Sequence, residues 1–120
     1  MAIPDYQSVM LPLLKFADDN QEHSIREARE KLAEVFGLSE EEQNELLPSG
    51  RRGVFDNRVG WARTYLKKAC LIEYAKRGIF KITQRGIDVL NKNLSGINIK
   101  FLEQYPEYIN FRKASKKDKE

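Results

Sequence analysis

Residues 51–86, RRGVFDNRVGWARTYLKKACLIEYAKRGIFKITQRG, contain the pattern that decides the fold. A basic helical pattern comes first, and two short β-prone runs follow at residues 71–75 and 79–83. The connection between these runs, residues 76–78, is Lys-Arg-Gly, and a connection of this length that contains glycine is typical of a β-hairpin. Thr83 is a suitable N-cap for a further short helix that extends through Leu90. The order helix, strand, turn, strand, helix predicts the second half of a winged helix-turn-helix.

The N-terminal residues predict a helix with one irregularity. Apolar residues recur at helical spacing between positions 4 and 18, and Pro4 suits the first turn of a helix. Pro12 lies inside this segment, where its missing backbone N–H and its ring disturb the preceding turn. We therefore expect either a kink at Pro12 or a helix that begins only near Met10.

Two capping boxes predict the next two helices. Ser24 with Glu27 begins a helix that Gly37 ends, and Ser39 with Glu42 begins a short acidic helix that ends before residue 48. A very short strand within residues 22–24 is expected to join the hairpin as a third strand. The apolar stripe predicted for the longer of these helices consists of Ile25, Ala28, Leu32, Val35 and Phe36.

The basic helix has two different faces. Asp56 is its expected N-cap, and the face that carries Val59, Ala62, Leu66 and Ala69 is expected to pack on the core. The opposite face is polar and basic, with Trp61 and Arg63 at its borders, and consists of Asn57, Gly60, Thr64, Lys67 and Lys68. The predicted fold class is mainly α with a small antiparallel β-hairpin, arranged as a winged helix-turn-helix. We expect a winged-helix domain over residues 1–112 and a basic tail or interdomain linker over residues 113–120.

Charge is distributed unevenly along the chain. Residues 51–85 carry 10 lysines and arginines against 2 acidic residues, whereas residues 1–50 carry 4 against 11. A basic region of this kind favours polyphosphate partners and so indicates nucleic acid. The sequence has no apolar run of membrane-spanning length and no signal-peptide pattern at its start, so we expect a cytoplasmic protein.

DNA recognition requires cations that meet phosphates and a slim element that enters the major groove. Asn57, Arg58 and Thr64 are the candidates for contacts with base edges, because their side chains can bond adenine, guanine or a thymine edge. The other candidates are expected to contact the phosphate backbone, and they are Arg51, Arg52, Lys67, Lys68, Lys76 and Arg77.

Residues for catalysis do not form any familiar pattern in this sequence. It has no glycine-rich phosphate loop, and His23 and Cys70 are each the only residue of their type. No lysine follows Asp, Glu or Gln by two positions, so the acid-x-lysine pattern of many metal-dependent nucleases is missing. We therefore expect no enzymatic activity, no cofactor and no metal site, and we expect His23 and Cys70 to be structural.

Several strings occur in an order that resembles the N-terminal domain of Mrr-type restriction endonucleases. They span about residues 3–112 and include IPDYQSVMLPLLKF, HSIREAREKLAEVFGLSEEE, LLPSGR, FDNRVGWARTYLKKA and RGIFKITQRG. In that family an N-terminal winged helix binds DNA, and a separate C-terminal domain of the PD-(D/E)xK type cleaves it with a divalent metal. The resemblance implies that this chain is the DNA-recognition module and that its partner is double-stranded DNA, including methylated DNA. The catalytic domain is absent from this chain.

An alternative function remains open from the residues alone, because winged helices also serve as free-standing regulators and as protein-interaction modules. Such a regulator would usually dimerise. A homodimer could form through an absent domain or through the C-terminal aromatic segment, although this segment is also suited to pack on its own domain. The segment contains Phe101, Leu102, Tyr105, Tyr108 and Phe111.

Overall fold

A computed structural model describes the backbone of residues 3–119 and the side chains of residues 3–114. The chain is mainly helical with a three-stranded antiparallel sheet, which confirms the winged helix-turn-helix class. A 3₁₀ turn, Ala17–Asp19, follows the first helix. The elements in chain order are α1 Tyr6–Phe16, β1 His23–Ser24, α2 Ile25–Val35, α3 Glu40–Asn44, α4 Val54–Lys68, β2 Ile72–Lys76, β3 Ile79–Ile82, α5 Gln84–Leu90, α6 Ile99–Leu102 and α7 Pro106–Lys119.

Side-chain caps determine where several helices begin. Both predicted capping boxes, at Ser24 and at Ser39, are present, and Thr83 caps α5 as predicted. Asp5 caps α1 by accepting a hydrogen bond from the backbone N–H of Ser8 at 2.7 Å. The helix therefore begins at Tyr6 and includes Pro12, so the alternative start near Met10 is wrong.

The start of α4 differs from the prediction. Asp56 is not the N-cap, because the helix begins at Val54 with Gly53 at the cap position. Gly53 pairs with Leu46 in an antiparallel bridge, and the N–H of Val54 donates to the carbonyl oxygen of Glu45 at 2.8 Å. Because the chain before α4 is paired in this way, the N-cap of α4 lies three residues earlier than the predicted cap at Asp56.

The sheet has the order β1-β3-β2, so the predicted third strand is present and pairs with β3. Phe80 in β3 is opposite His23 on one side and Tyr74 on the other. The hairpin turn is shorter than predicted, because Lys76 belongs to β2 and only residues 77 and 78 form the turn. Gly78 has φ of 77°, a backbone conformation that glycine adopts without a steric penalty.

The core forms mainly between α1 and α4. The predicted inner face of α4 is fully buried, and α1 contributes Val9, Met10, Leu13 and Leu14 to the same core. Along α2, Ala28 and Leu32 are buried as predicted, but Val35 is 57% exposed. The predicted stripe is wrong at this position, where Val35 borders a surface depression of about 360 Å³ together with Pro12 and Phe16 of α1.

The end of α4 contains an unexpected backbone conformation. Cys70 has φ of 63°, in the left-handed region, and its N–H donates to the carbonyl oxygen of Lys67. The N–H of Leu71 donates to the carbonyl oxygen of Leu66, which completes a Schellman motif. Glycine usually occupies the position of Cys70 in this motif. Cys70 thus has a partly exposed free thiol and occupies a strained backbone position in this cap.

The C-terminal region forms two further helices, so α5 is not the last helix. Leu102 and Tyr108 are fully buried in the core of the same chain, as expected for a segment that packs on its own domain. Arg85 fixes α7 to α5 through two hydrogen bonds to Glu107, of 3.0 and 3.2 Å. The backbone of α7 stays helical through Lys119, whereas residue 120 and the side chains after residue 114 lie outside the described residues. The assignment of residues 113–120 as a tail or linker therefore stays a prediction.

None of the helices within residues 3–119 is both long enough and apolar enough to span a membrane.

Candidate nucleic-acid interface

The candidate interface consists of the outer face of α4, the β2–β3 hairpin and the loop that precedes α4. Arg51, Arg52, Lys76 and Arg77 are exposed. The candidates on α4 are partly buried, and they are Asn57, Arg58, Thr64, Lys67 and Lys68. The fold thus brings most of the predicted residues onto neighbouring elements, while their contact with DNA stays a prediction.

The loop before α4 holds its arginines in a defined turn. The N–H of Leu47 donates to the carbonyl oxygen of Arg52 at 2.9 Å, and the N–H of Gly50 donates to that of Leu47 at 2.7 Å. The Arg52 guanidinium extends back along α4, where its Nη2 donates to the carbonyl oxygen of Asp56 at 3.4 Å. A Cβ atom at Gly60 would lie 2.7 Å from that same Nη2. The absence of a side chain at Gly60 therefore allows Arg52 to rest on the helix surface.

A shallow depression of about 210 Å³ lies on the outer face of α4. Trp61 at its edge is 47% exposed and stacks on Tyr65, with ring centroids 5.8 Å apart. The Thr64 hydroxyl donates to the carbonyl oxygen of Gly60 at 3.0 Å, which leaves its methyl group and an oxygen lone pair for other contacts. The depression is lined by Arg52, Asn57, Gly60, Trp61, Arg63 and Thr64.

One edge of the outer face contacts the hairpin. The guanidinium carbon of Arg63 lies 5.4 Å from the centroid of the Tyr74 ring, and Nζ of Lys67 lies 5.5 Å from the same centroid. Tyr74, in β2, is 45% exposed. The predicted site did not include Arg63 or Tyr74. Arg63 is four residues before Lys67, and this helical spacing indicated that the two lie on the same side of α4. No spacing in the sequence indicated the contact with Tyr74, which depends on how the hairpin folds against the helix.

The other edge of the outer face contacts α7. Nζ of Lys68 lies 5.1 Å from the centroid of the Phe111 ring. Tyr65 is packed among Tyr6, Tyr108 and Phe111, and burial raises the pKa of its hydroxyl. Lys68 is therefore on the opposite edge of α4 from Arg63 and Lys67.

Arg58 is directed toward the start of α1. Hydrogen bonding by the backbone N–H of Ser8 lowers the pKa of Asp5, and the positive charge of Arg58 acts in the same direction. The structure thus separates Arg58 from the other base-contact candidates, Asn57 and Thr64, which line the depression.

The ion pairs formed by the side chains of residues 3–114 connect elements of the scaffold, and none of them lies on the outer face of α4. Arg29 of α2 pairs with Asp56 of α4 at 3.4 Å, which joins the two helices of the helix-turn-helix. Among the side chains of residues 3–114, no carboxylate oxygen lies within 4.0 Å of a charged nitrogen of Arg63 or Lys67. These cations are therefore available to an anionic partner.

His23 has structural contacts. Its Nε2 lies 2.8 Å from Oδ1 of Asp19, its Nδ1 lies 3.3 Å from Oε2 of Glu27, and its ring packs on Phe16 with centroids 4.5 Å apart. Burial lowers the pKa of His23, but the hydrogen bonds and charges of Asp19 and Glu27 outweigh it, so the net shift is upward. In the part of the chain that the structure describes, no three His, Cys, Asp or Glu residues cluster in a way that could hold a metal ion.

Comparison with known proteins identifies a family for this chain. Residues 6–92 match the Mrr N-terminal domain family. The type IV methyl-directed restriction enzyme of Escherichia coli K12 is 32% identical to the chain over 89 residues. The aligned region makes up 73% of this chain and 29% of that enzyme, so the chain spans well under half of the relative's length. No solved structure matches the chain significantly.

Proposed function

Because the chain belongs to the Mrr N-terminal domain family, we propose that it binds duplex DNA as the recognition module of a modification-dependent restriction endonuclease. The observation that carries this proposal is the set of cations on α4 and the hairpin. They lie next to the polar side chains of Asn57 and Thr64 on the outer face of α4. In addition, residues 51–85 include far more basic than acidic residues. A surface of this kind is suited to a negatively charged duplex.

In the proposed complex α4 lies in the major groove, as the recognition helix of a helix-turn-helix does. Asn57 and Thr64 then face base edges, because both line the depression on the outer face. Lys76 and Arg77 at the end of the hairpin and Arg51 in the preceding loop contact the phosphate backbone on either side of α4. Backbone contacts of this kind fix orientation and register, whereas base contacts supply sequence preference.

Strand cleavage would be performed by a separate metal-dependent nuclease domain, which the family resemblance implies and this chain does not contain. The E. coli relative is methyl-directed by name. We accordingly propose that the duplex bound by this chain includes methylated DNA. We do not propose a homodimer through the C-terminal aromatic segment, because Leu102 and Tyr108 are already buried in the core of their own chain.

The test is fluorescence-anisotropy titration of matched unmethylated and methylated duplexes over a series of salt concentrations. With about five phosphates neutralised, log K should fall against log salt with a slope of about −4 to −5. The double variant Lys76→Ala/Arg77→Ala should reduce the magnitude of that slope by about 2. The matched control is Lys92→Ala/Lys100→Ala, which removes the same charge from exposed positions near α6 and should leave the slope unchanged.

The outcomes separate the parts of the proposal. Absence of binding at low salt, or equal effects of the two double variants, would contradict a DNA interface on α4 and the hairpin. Tighter binding to the methylated duplex would assign the modification preference to this chain. Equal binding to both duplexes would leave a DNA-binding module and would contradict its role in methyl recognition.

A further inference from the structure

We infer that Arg63, Lys67 and Tyr74 form a binding site for a single phosphate of the DNA backbone, located where α4 meets the hairpin. This site, the α4–wing clamp, rests on the proposed function and adds two residues to the interface, Arg63 and Tyr74. Its role is to fix how α4 is oriented with respect to the groove.

The arrangement of charges in the clamp favours an anionic ligand. Arg63 and Lys67 are one helical turn apart, and both cations lie within 5.5 Å of the centroid of the Tyr74 ring. Like charges at this spacing repel each other. Among the described side chains no carboxylate oxygen lies within 4.0 Å of the charged nitrogens of either residue. A phosphate between the two cations would remove the repulsion and would gain charge-assisted hydrogen bonds from both.

Arg63 is held in place before any ligand binds. Its guanidinium lies over the Tyr74 ring, and its Nε is buried without a hydrogen-bond partner within the described residues. A guanidinium that lies over an aromatic ring can still donate hydrogen bonds from the N–H groups in its own plane. The planar fork of arginine matches the oxygens of a phosphate. Because the side chain is already ordered, less conformational entropy is lost when the phosphate binds.

The position of the clamp favours a phosphate of duplex DNA. Arg63 also lines the depression that contains Asn57 and Thr64, so the clamp borders the residues proposed to face base edges. On its other side β2 continues from Tyr74 to Lys76, which is proposed to contact the backbone. A duplex seated on α4 would therefore bring a backbone phosphate to the junction of helix and hairpin, where both elements hold it.

The test is the salt dependence of duplex binding by Arg63→Ala, Tyr74→Leu and Tyr74→Phe. Each phosphate contact contributes about 0.9 to the slope of log K against log salt. Arg63→Ala should therefore reduce the magnitude of the slope by about 0.9 and weaken binding about eightfold at 0.1 M salt. Tyr74→Leu changes no charge, yet it should also reduce the slope, because it removes the ring that positions both cations. Tyr74→Phe keeps the ring and should bind as the wild type does.

Lys92→Ala is the matched control, since it removes one cation that lies 5.8 Å from an aromatic centroid, that of Phe101, on another part of the molecule. Its slope should equal that of the wild type. The clamp is wrong if folded Tyr74→Leu retains the wild-type slope, or if Lys92→Ala and Arg63→Ala have equal effects. Should Tyr74→Leu unfold, Arg63→Ala decides alone, because Arg63 is only partly buried and alanine is the most favourable residue in a helix. A wild type without salt-dependent binding would instead overturn the proposed DNA-binding function together with the clamp.

Discussion

Two glycines within helices should respond in opposite ways to the same substitution. A Cβ atom at Gly86 in α5 would lie 2.2 Å from the carbonyl oxygen of Leu71 and 2.7 Å from Cγ1 of Ile82. The Leu71 carbonyl is backbone and accepts a hydrogen bond from the N–H of Thr83 at 3.1 Å, so it cannot move freely. A Cβ atom at Gly60 in α4 would instead meet only the far end of the Arg52 side chain, which can rotate away.

The magnitudes follow from this difference. In a helix interior, replacing glycine by alanine increases the free energy of unfolding by up to about 1 kcal/mol. Gly86→Ala must also displace α5 from the backbone of residue 71, at a cost of about 3 kcal/mol for overpacking of this kind. We therefore expect a net loss of about 2 kcal/mol, which lowers Tm by about 8 °C in a domain of this size. Gly60→Ala loses only a weak, exposed hydrogen bond worth about 0.5 kcal/mol and should raise Tm by about 2 °C.

The assay is thermal unfolding followed by circular dichroism at 222 nm, with urea unfolding as an independent measure of the free energy. The two variants serve as controls for each other, because the chemical change is identical. If Gly86→Ala were as stable as the wild type, the close approach of α5 to Leu71 would be wrong. If Gly60→Ala lowered Tm, the freedom of the Arg52 side chain to rotate away from Gly60 would be wrong.

Two further substitutions test local features of the scaffold. Because Cys70 adopts a left-handed conformation, Cys70→Gly should increase the free energy of unfolding by about 1 kcal/mol in urea titrations. The control Cys70→Ala should leave it nearly unchanged, and a loss of stability in the glycine variant would contradict the assigned strain. The contacts with Asp19 and Glu27 raise the folded-state pKa of His23 above its ordinary value of 6.5. The stability from these contacts is therefore fully present below pH 6.5, and it is lost as the pH rises through the folded-state pKa. The Tm advantage of the wild type over His23→Gln should therefore be larger at pH 5.5 than at pH 8.5, and an advantage independent of pH would exclude this linkage.

Features that depend on neighbouring residues were predictable from the amino-acid pattern. The capping boxes at Ser24 and Ser39 and the cap at Thr83 form because a side chain bonds the backbone within three residues. The hairpin follows from β-prone runs around a glycine, and the inner face of α4 follows from helical spacing. The charge asymmetry that indicated a polyphosphate partner is likewise a property of composition.

Features that depend on contacts between different segments of the chain required the folded arrangement. Leu46 pairs with Gly53 and thereby starts α4 before Asp56, and no local signal marks that bridge. Tyr74 meets Arg63 and Lys67 only because β2 folds back along α4. Local hydrogen bonds select helices, strands and turns, since their partners are adjacent in sequence. The packing of one element against another selects which side chains share a surface, and it therefore decided the composition of the proposed clamp.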